Sequence, residues 1–200
     1  MSIVEKYLKE LKRAYYRNGG KEMWDNFEKL KEGASEEDIK KLKEEYPEVP
    51  DSLIELLKNV DGTYFRKYKG KTVAFDFLGS DVEEYPYYLL SSSQILESKN
   101  EAYDFYADYV DRKYEEVEID EKIINDSKKM RWLHFSDCMN NGGTSQLFID
   151  FSPSEKGVKG QIVRFLHDPD EIAVIADSFD EYLEKLMEYE LDFINEDTIE

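Results

Sequence analysis

The sequence predicts an α+β fold, a curved antiparallel β-sheet with helices packed on one side, and three observations carry that reading. The amino-terminal third repeats apolar side chains at helical spacing between clear stop signals. The stretch from Arg131 to Leu183 instead holds short, partly alternating strand patterns broken by turn residues, followed by one more amphipathic helix. The composition, 40% hydrophobic and 14% aromatic with 15 Tyr and 11 Phe, supplies core for a chain of 200 residues. At that length folding buries about 70% of the unfolded surface, so one domain spanning residues 1–200 is expected.

Taken in order, Val4, Tyr7, Leu8, Leu11 and Tyr15 form one stripe of a first helix that stops at Asn18-Gly19-Gly20. A second short helix holds Trp24, Phe27 and Leu30 before Gly33. Ser35 then caps a helix with Glu36, Glu37 and Asp38 in its first turn, where the helix dipole favours acids. Ile39, Leu42 and Tyr46 are its buried side, and Pro47 ends it. Pro50 suits the first turn of a fourth helix striped by Leu53, Leu56, Leu57 and Val60, which stops at Asp61-Gly62.

Strand signals follow. Thr63 to Tyr68 and Thr72 to Phe77 read as a hairpin about Lys69-Gly70, and Tyr85 to Leu90 as another strand. Ser91-Ser92-Ser93 leads into a helix carrying Ala102, Phe105, Tyr106, Tyr109 and Val110. Residues 111–129 are highly charged and weakly periodic, and read as a surface loop with some helix. Trp132 to Phe135 is a strand ending in the Asn140-Asn141-Gly142-Gly143 reversal, and Gln146 to Phe151 alternates as its partner. Ile162 to Leu166 is the third strand. Ser178 opens a capping box with Glu181, and Phe179, Tyr182, Leu183, Leu186 and Met187 stripe the terminal helix.

The formal net charge of −19, from 46 acidic and 27 basic residues, argues against nucleic acid and against an anionic membrane surface. It suits simple solubility or, as the sharper reading, a basic protein partner. The single cysteine, Cys138, cannot form an internal disulfide, which fits a reducing compartment. The start MSIVEKYLKELK lacks a signal peptide's apolar core, and no stretch approaches the ~20 apolar residues of a membrane span. A cytoplasmic protein is expected.

Nothing demands catalysis. His134 and His167 are the only imidazoles, with no H-E-x-x-H or C-x-x-C spacing, and His134 alternates with Leu133 and Phe135 as a core histidine would. Gly70-Lys71-Thr72 resembles the end of a phosphate loop, but Phe65 stands where the first glycine should be and a strand follows. Gly142-Gly143-Thr144-Ser145 lacks a lysine and reads as a turn. Cys138 lies near Asp137 and His134 with no activating motif. Asp137, Asp150 and Asp168 could gather a cation at strand ends, though acids are so common here that the coincidence is cheap. A non-enzymatic chain without cofactor or metal is expected. The tyrosines of the middle third, Tyr85, Tyr87, Tyr88, Tyr103, Tyr106, Tyr109 and Tyr114, suit a core edge or a protein-binding rim where acids select a basic partner.

The ordered series of motifs resembles the SUKH superfamily, which includes fungal cell-wall synthesis regulators and many bacterial immunity proteins. It runs from W-x-x-F-x-x-L at Trp24 through G-A-S-E-E-D-I at Gly33, V-P-D-S-L-x-x-L-L at Val49 and Asp61-Gly62 to Phe77-Leu78-Gly79. It continues with the tryptophan strand, the N-G-G turn, L-F-I-D-F, G-Q-I-V and A-D-S-F-x-E-Y-L, covering about residues 24–186. The run Glu45 to Pro50 is a variant of the family's pattern, and residues 111–129 look like a charged insertion. The resemblance implies an α+β fold and binding rather than catalysis: an immunity protein neutralising a basic, nuclease-type toxin by direct contact, or a regulator of the wall-assembly type binding a host protein or peptide. The residues expected to meet a partner are Asp61, Gly62, Tyr88, Trp132, Asp137, Asn141, Gly142 and Asp150.

Overall fold

The computed structural model describes residues 1–82, 85–140 and 143–199. Four helices open the chain: α1 (Ile3–Arg17), α2 (Lys21–Leu30), α3 (Glu36–Glu45) and α4 (Asp51–Asn59). Their starts are chemically set. The Ser2 hydroxyl accepts from the Glu5 amide while the Glu5 carboxylate accepts from the Ser2 amide, a closed capping box. Ser35 accepts from the Asp38 amide as expected, and Pro50 occupies the cap of α4, just before its first turn. Gly33 lets the turn before α3 press on the end of α4, since a Cβ there would lie 1.8 Å from the Lys58 carbonyl oxygen.

The next segment is the least regular. β1 (Arg66–Tyr68) and β2 (Lys71–Val73) form a small hairpin about Lys69 and Gly70, both at positive φ. The chain then crosses the core as a strap before β3 (Tyr88–Leu89), with one isolated antiparallel bridge between Leu78 and Tyr87, the residue preceding β3. The strands are therefore shorter than the sequence implies. The strap's carbonyls are taken by tyrosines instead: Tyr15 donates to Asp76 at 2.6 Å, Tyr7 to Phe77 at 2.5 Å and Tyr182 to Gly79 at 2.6 Å.

The expected single helix after Ser91 is two, α5 (Ser92–Glu97) and α6 (Glu101–Val110). There follow β4 (Glu118–Ile119), β5 (Trp132–Asn140), β6 (Gly143–Asp150), β7 (Gln161–Leu166), β8 (Glu171–Ala176), α7 (Phe179–Glu188) and the short α8 (Glu196–Ile199). Six strands form one sheet in the order β3-β5-β6-β7-β8-β4, antiparallel except for the β4–β8 pair. Asn141 and Gly142, at the reversal between β5 and β6, lie outside the described residues.

β8 is a strand that the sequence pattern does not single out. Its residues Ile172 to Ala176 are a continuous apolar run without alternation, and a short apolar run does not identify a strand by period. The run is apolar because the sheet is buried on both sides. Leu133, Phe135, Leu147, Ile149 and Ile162 join the core built on α1, α4 and α7. Trp132, Phe148, Val163, Phe165 and Ile172 face a second core closed by Ala102, Tyr106 and Val110 of α6. The α+β class holds, with α6 as a cover on the far face in addition to the helices on the near one. Residues 111–129 contribute to that second core through buried Ile123, and β4 lengthens the sheet, so the segment is more than surface loop. The capping box at Ser178 is shifted: Ser178 accepts from the Glu181 amide, but the Glu181 carboxylate accepts from Asp177 instead.

Removing a buried hydroxyl strands the carbonyl it served. Tyr7→Phe and Tyr182→Phe should each lower unfolding free energy by on the order of 1–3 kcal/mol in urea titrations. Tyr16→Phe, whose exposed hydroxyl meets only Asp25, should change it by less than about 0.5 kcal/mol.

Candidate protein-binding face

The residues expected to meet a partner separate into three groups. Asp61 and Gly62 are structural. Asp61 is 3% exposed; its carboxylate accepts from the amide and hydroxyl of Ser92, both at 2.8 Å, and from Arg66 at 2.8 Å. It thereby ties the end of α4 to the start of α5. Gly62 has φ +88, and a Cβ there would come within 2.5 Å of the Ser91 nitrogen. Trp132 and Asp150 are a buried cross-strand pair. The Trp132 ring packs 5.4 Å from Phe148, and Asp150 accepts from Ser152 and Gln161. Burial pushes the Asp150 carboxyl upward, partly opposed by those hydrogen bonds. Neither residue is available to a partner on the folded surface.

Tyr88 and Asp137 form the third group, directly opposite each other across β3 and β5. Tyr88 is half-buried and belongs to an aromatic cluster, 5.4 Å from Tyr64 and 6.1 Å from Phe65. Phe65 stands at φ +49, unusual for a bulky side chain, and its ring is 54% exposed. Asp137 accepts from Gln146 at 2.9 Å, and His134 Nε2 lies 3.3 Å away. Gln146 also donates to Glu101 at 3.2 Å and accepts from Tyr106 at 2.5 Å. This buried amide couples the β5–β6 hairpin to α6. The tyrosines of the middle third divide accordingly: Tyr87 and Tyr106 are buried, Tyr85, Tyr88 and Tyr109 half-buried, and Tyr103 and Tyr114 exposed.

The catalytic combinations do not assemble. Asp137 and Asp150 lie opposite Gln146 and at the end of β6 respectively, four residues or about 13 Å apart along the strands. Among the described residues no group of three or more His, Cys, Asp or Glu could hold a metal ion. Burial, with Asp76 and Asp137 nearby, pushes the Cys138 thiol up to about 12, the reverse of nucleophile activation. An open depression of about 710 Å³ between Ile123, Pro153 and Arg112 has its lysines paired, Lys129 with Asp126 and Lys156 with Glu121.

Charge gives the face its sign. Residues 72–111 hold nine acidic side chains against Lys99 alone, and residues 165–200 hold thirteen against Lys185 alone. The remainder of the chain is nearly balanced, as in α3, where Glu37 pairs with Lys41 and Glu44 with Lys40. The two acidic segments meet where α6 packs on the β7–β8 turn, through the Tyr109 hydroxyl donating to Asp170 at 2.6 Å. No motif marks this asymmetry; a running charge count along the sequence would have found it. No helix is long and apolar enough to cross a membrane among the described residues.

Residues 33–185 match the model of the SMI1 / KNR4 family (SUKH-1). No curated protein matches the chain significantly.

Asp76, on the strap, is a partly buried carboxyl that desolvation pushes up to about 6. Its folded state therefore holds the proton more tightly than the unfolded chain does. The stability this provides is complete below about pH 4 and lost as pH rises through about 6. Asp76→Asn should thus raise stability at pH 7–8 by on the order of 1–3 kcal/mol. The gain should fade towards pH 4 in denaturant titrations run across that range.

Proposed function

The chain belongs to the SMI1 / KNR4 family (SUKH-1), and on that premise we propose that it is a non-catalytic protein-binding module of the immunity type. It neutralises a basic toxin domain by direct contact. The observation that carries this reading is the excess of acidic over basic side chains within residues 72–111 and 165–200, beside exposed aromatic side chains. A nuclease must present a basic cleft to hold phosphate. An acidic surface competes for that cleft, and its field steers encounter with it while rejecting acidic bystanders. The buried His134 and the high-pKa Cys138 support binding without chemistry.

Screening tests the idea, because the Debye length shrinks from about 10 Å at 0.1 M salt to about 3 Å at 1 M. The immobilised protein should capture a basic toxin-like domain from a lysate of the source cells and release it as salt is raised. The purified chain should then abolish that domain's activity at one-to-one stoichiometry. Capture of wall-assembly or signalling proteins instead would move the assignment to a regulatory scaffold. Partners that are acidic or unaffected by salt would overturn the charge-led mechanism.

A further inference from the structure

We propose that the outward face of α6 is the docking surface, and that a partner segment presenting arginine side chains occupies it. This rests on the reading above that the partner is basic, and it places the contact away from Trp132, Gly62 and Asp150, which the fold itself consumes.

The face is aromatic and held in place from below. Tyr103 is 51% exposed, Phe105 63% and Tyr114 42%. Ring centroids run in a row, Phe105 to Tyr106 at 6.5 Å, Tyr106 to Tyr109 at 6.2 Å and Tyr109 to Tyr114 at 5.0 Å. The inner members are anchored, Tyr106 by Gln146 and Tyr109 by Asp170. Rigid rings of this kind lose little conformational freedom when a partner covers them.

The face is also acidic, at its carboxy-terminal end against the helix dipole. α1, α2, α3, α4 and α7 each carry a basic residue in the last turn, where the helix dipole favours one. α6 has none there, and instead carries Asp108 and ends on Asp111. Asp108 is paired with Lys113, whereas Glu101 and Asp104 have no cation among the described residues. Glu101, Phe105 and Tyr109 are spaced four apart, as are Asp104 and Asp108, so acids and rings lie side by side along the helix. A guanidinium can stack on such a ring and reach the neighbouring carboxylate at once. A second copy of this acidic chain would meet like charge, and nucleic acid would be repelled.

The probe is a capped synthetic peptide of alternating arginine and alanine, titrated at low salt into the ¹⁵N-labelled full chain. Resonances of α6 and of Asp170 should shift first. Phe105→Ala and Asp104→Lys should each weaken binding by about fivefold or more, from the loss of a cation–π or ionic contact. Both side chains lie outside the core, so unchanged circular dichroism should accompany the loss, and either variant alone decides the matter. Glu22→Lys, an exposed acid on α2, should weaken binding much less. Shifts centred on α7 or α3, or equal loss in all three variants, would overturn this surface while leaving the basic-partner reading in place. No binding of the peptide at low salt would overturn both.

Discussion

Residues 74–79 cross the space between α1, α7 and the sheet with only an isolated bridge to Tyr87, so most of their carbonyl groups must be satisfied from outside a strand ladder. Three tyrosine hydroxyls do this, from Tyr7 and Tyr15 on α1 and Tyr182 on α7. Because each hydroxyl sits at the end of a rigid ring, each bond also fixes how far its helix stands from the strap. Phe75 and Phe77 then fill the space so defined: Phe75 stacks at 4.1 Å on Phe27 and at 4.7 Å on Tyr15, and Phe77 meets Tyr7 edge-on. At Gly79 a Cβ would lie 2.4 Å from the Phe193 ring, which brings the carboxy-terminal segment against the same strap. Three of the chain's 15 tyrosines thus act as a hydrogen-bonding device for an irregular core.

A second device holds the strap to the far strands. Arg164, 3% exposed, reaches Asp81 at 2.5 and 2.9 Å and Glu171 at 3.0 Å. A buried guanidinium is costly unless such partners meet it, and two carboxylates from separate segments make the pairing a check on correct assembly more than a source of net stability. On the opposite face Gln146 performs the neutral equivalent, joining Asp137, Glu101 and Tyr106 within a layer of aromatic and aliphatic side chains. Polar groups therefore fix how each cover sits on the sheet, and apolar area supplies the drive to bury it.

Much of the fold was legible because it rests on local chemistry. The Ser35 cap, the four opening helices and the β5–β6 hairpin all follow from residues near one another in the chain. What was not legible depends on which element covers which sheet face. β8 carries no alternation because both its faces are covered, and α6 reads as one amphipathic helix whatever it packs on. The candidate site suffered from the same ambiguity. Trp132, Asp61, Gly62 and Asp150 form recognisable motifs because the fold requires them at those places, and a residue consumed by the fold is not free to bind. Tyr88 alone of the described members is not buried, Asp137 being 8% exposed, and it stands beside Phe65, whose exposure no pattern foretold.

The division of labour along α6 follows from this. Ala102, Tyr106 and Val110, four residues apart, meet the needs of the sheet and close the second core. The positions between them, Tyr103, Asp104, Phe105 and Asp108, are exposed and lie outside that core. Substitutions there leave the core intact, so the outer surface of the helix can change without changing how the protein folds. A site built from core residues could be altered only at the expense of stability. Here the inner half of one helix answers to the sheet, and its outer half lies outside the core.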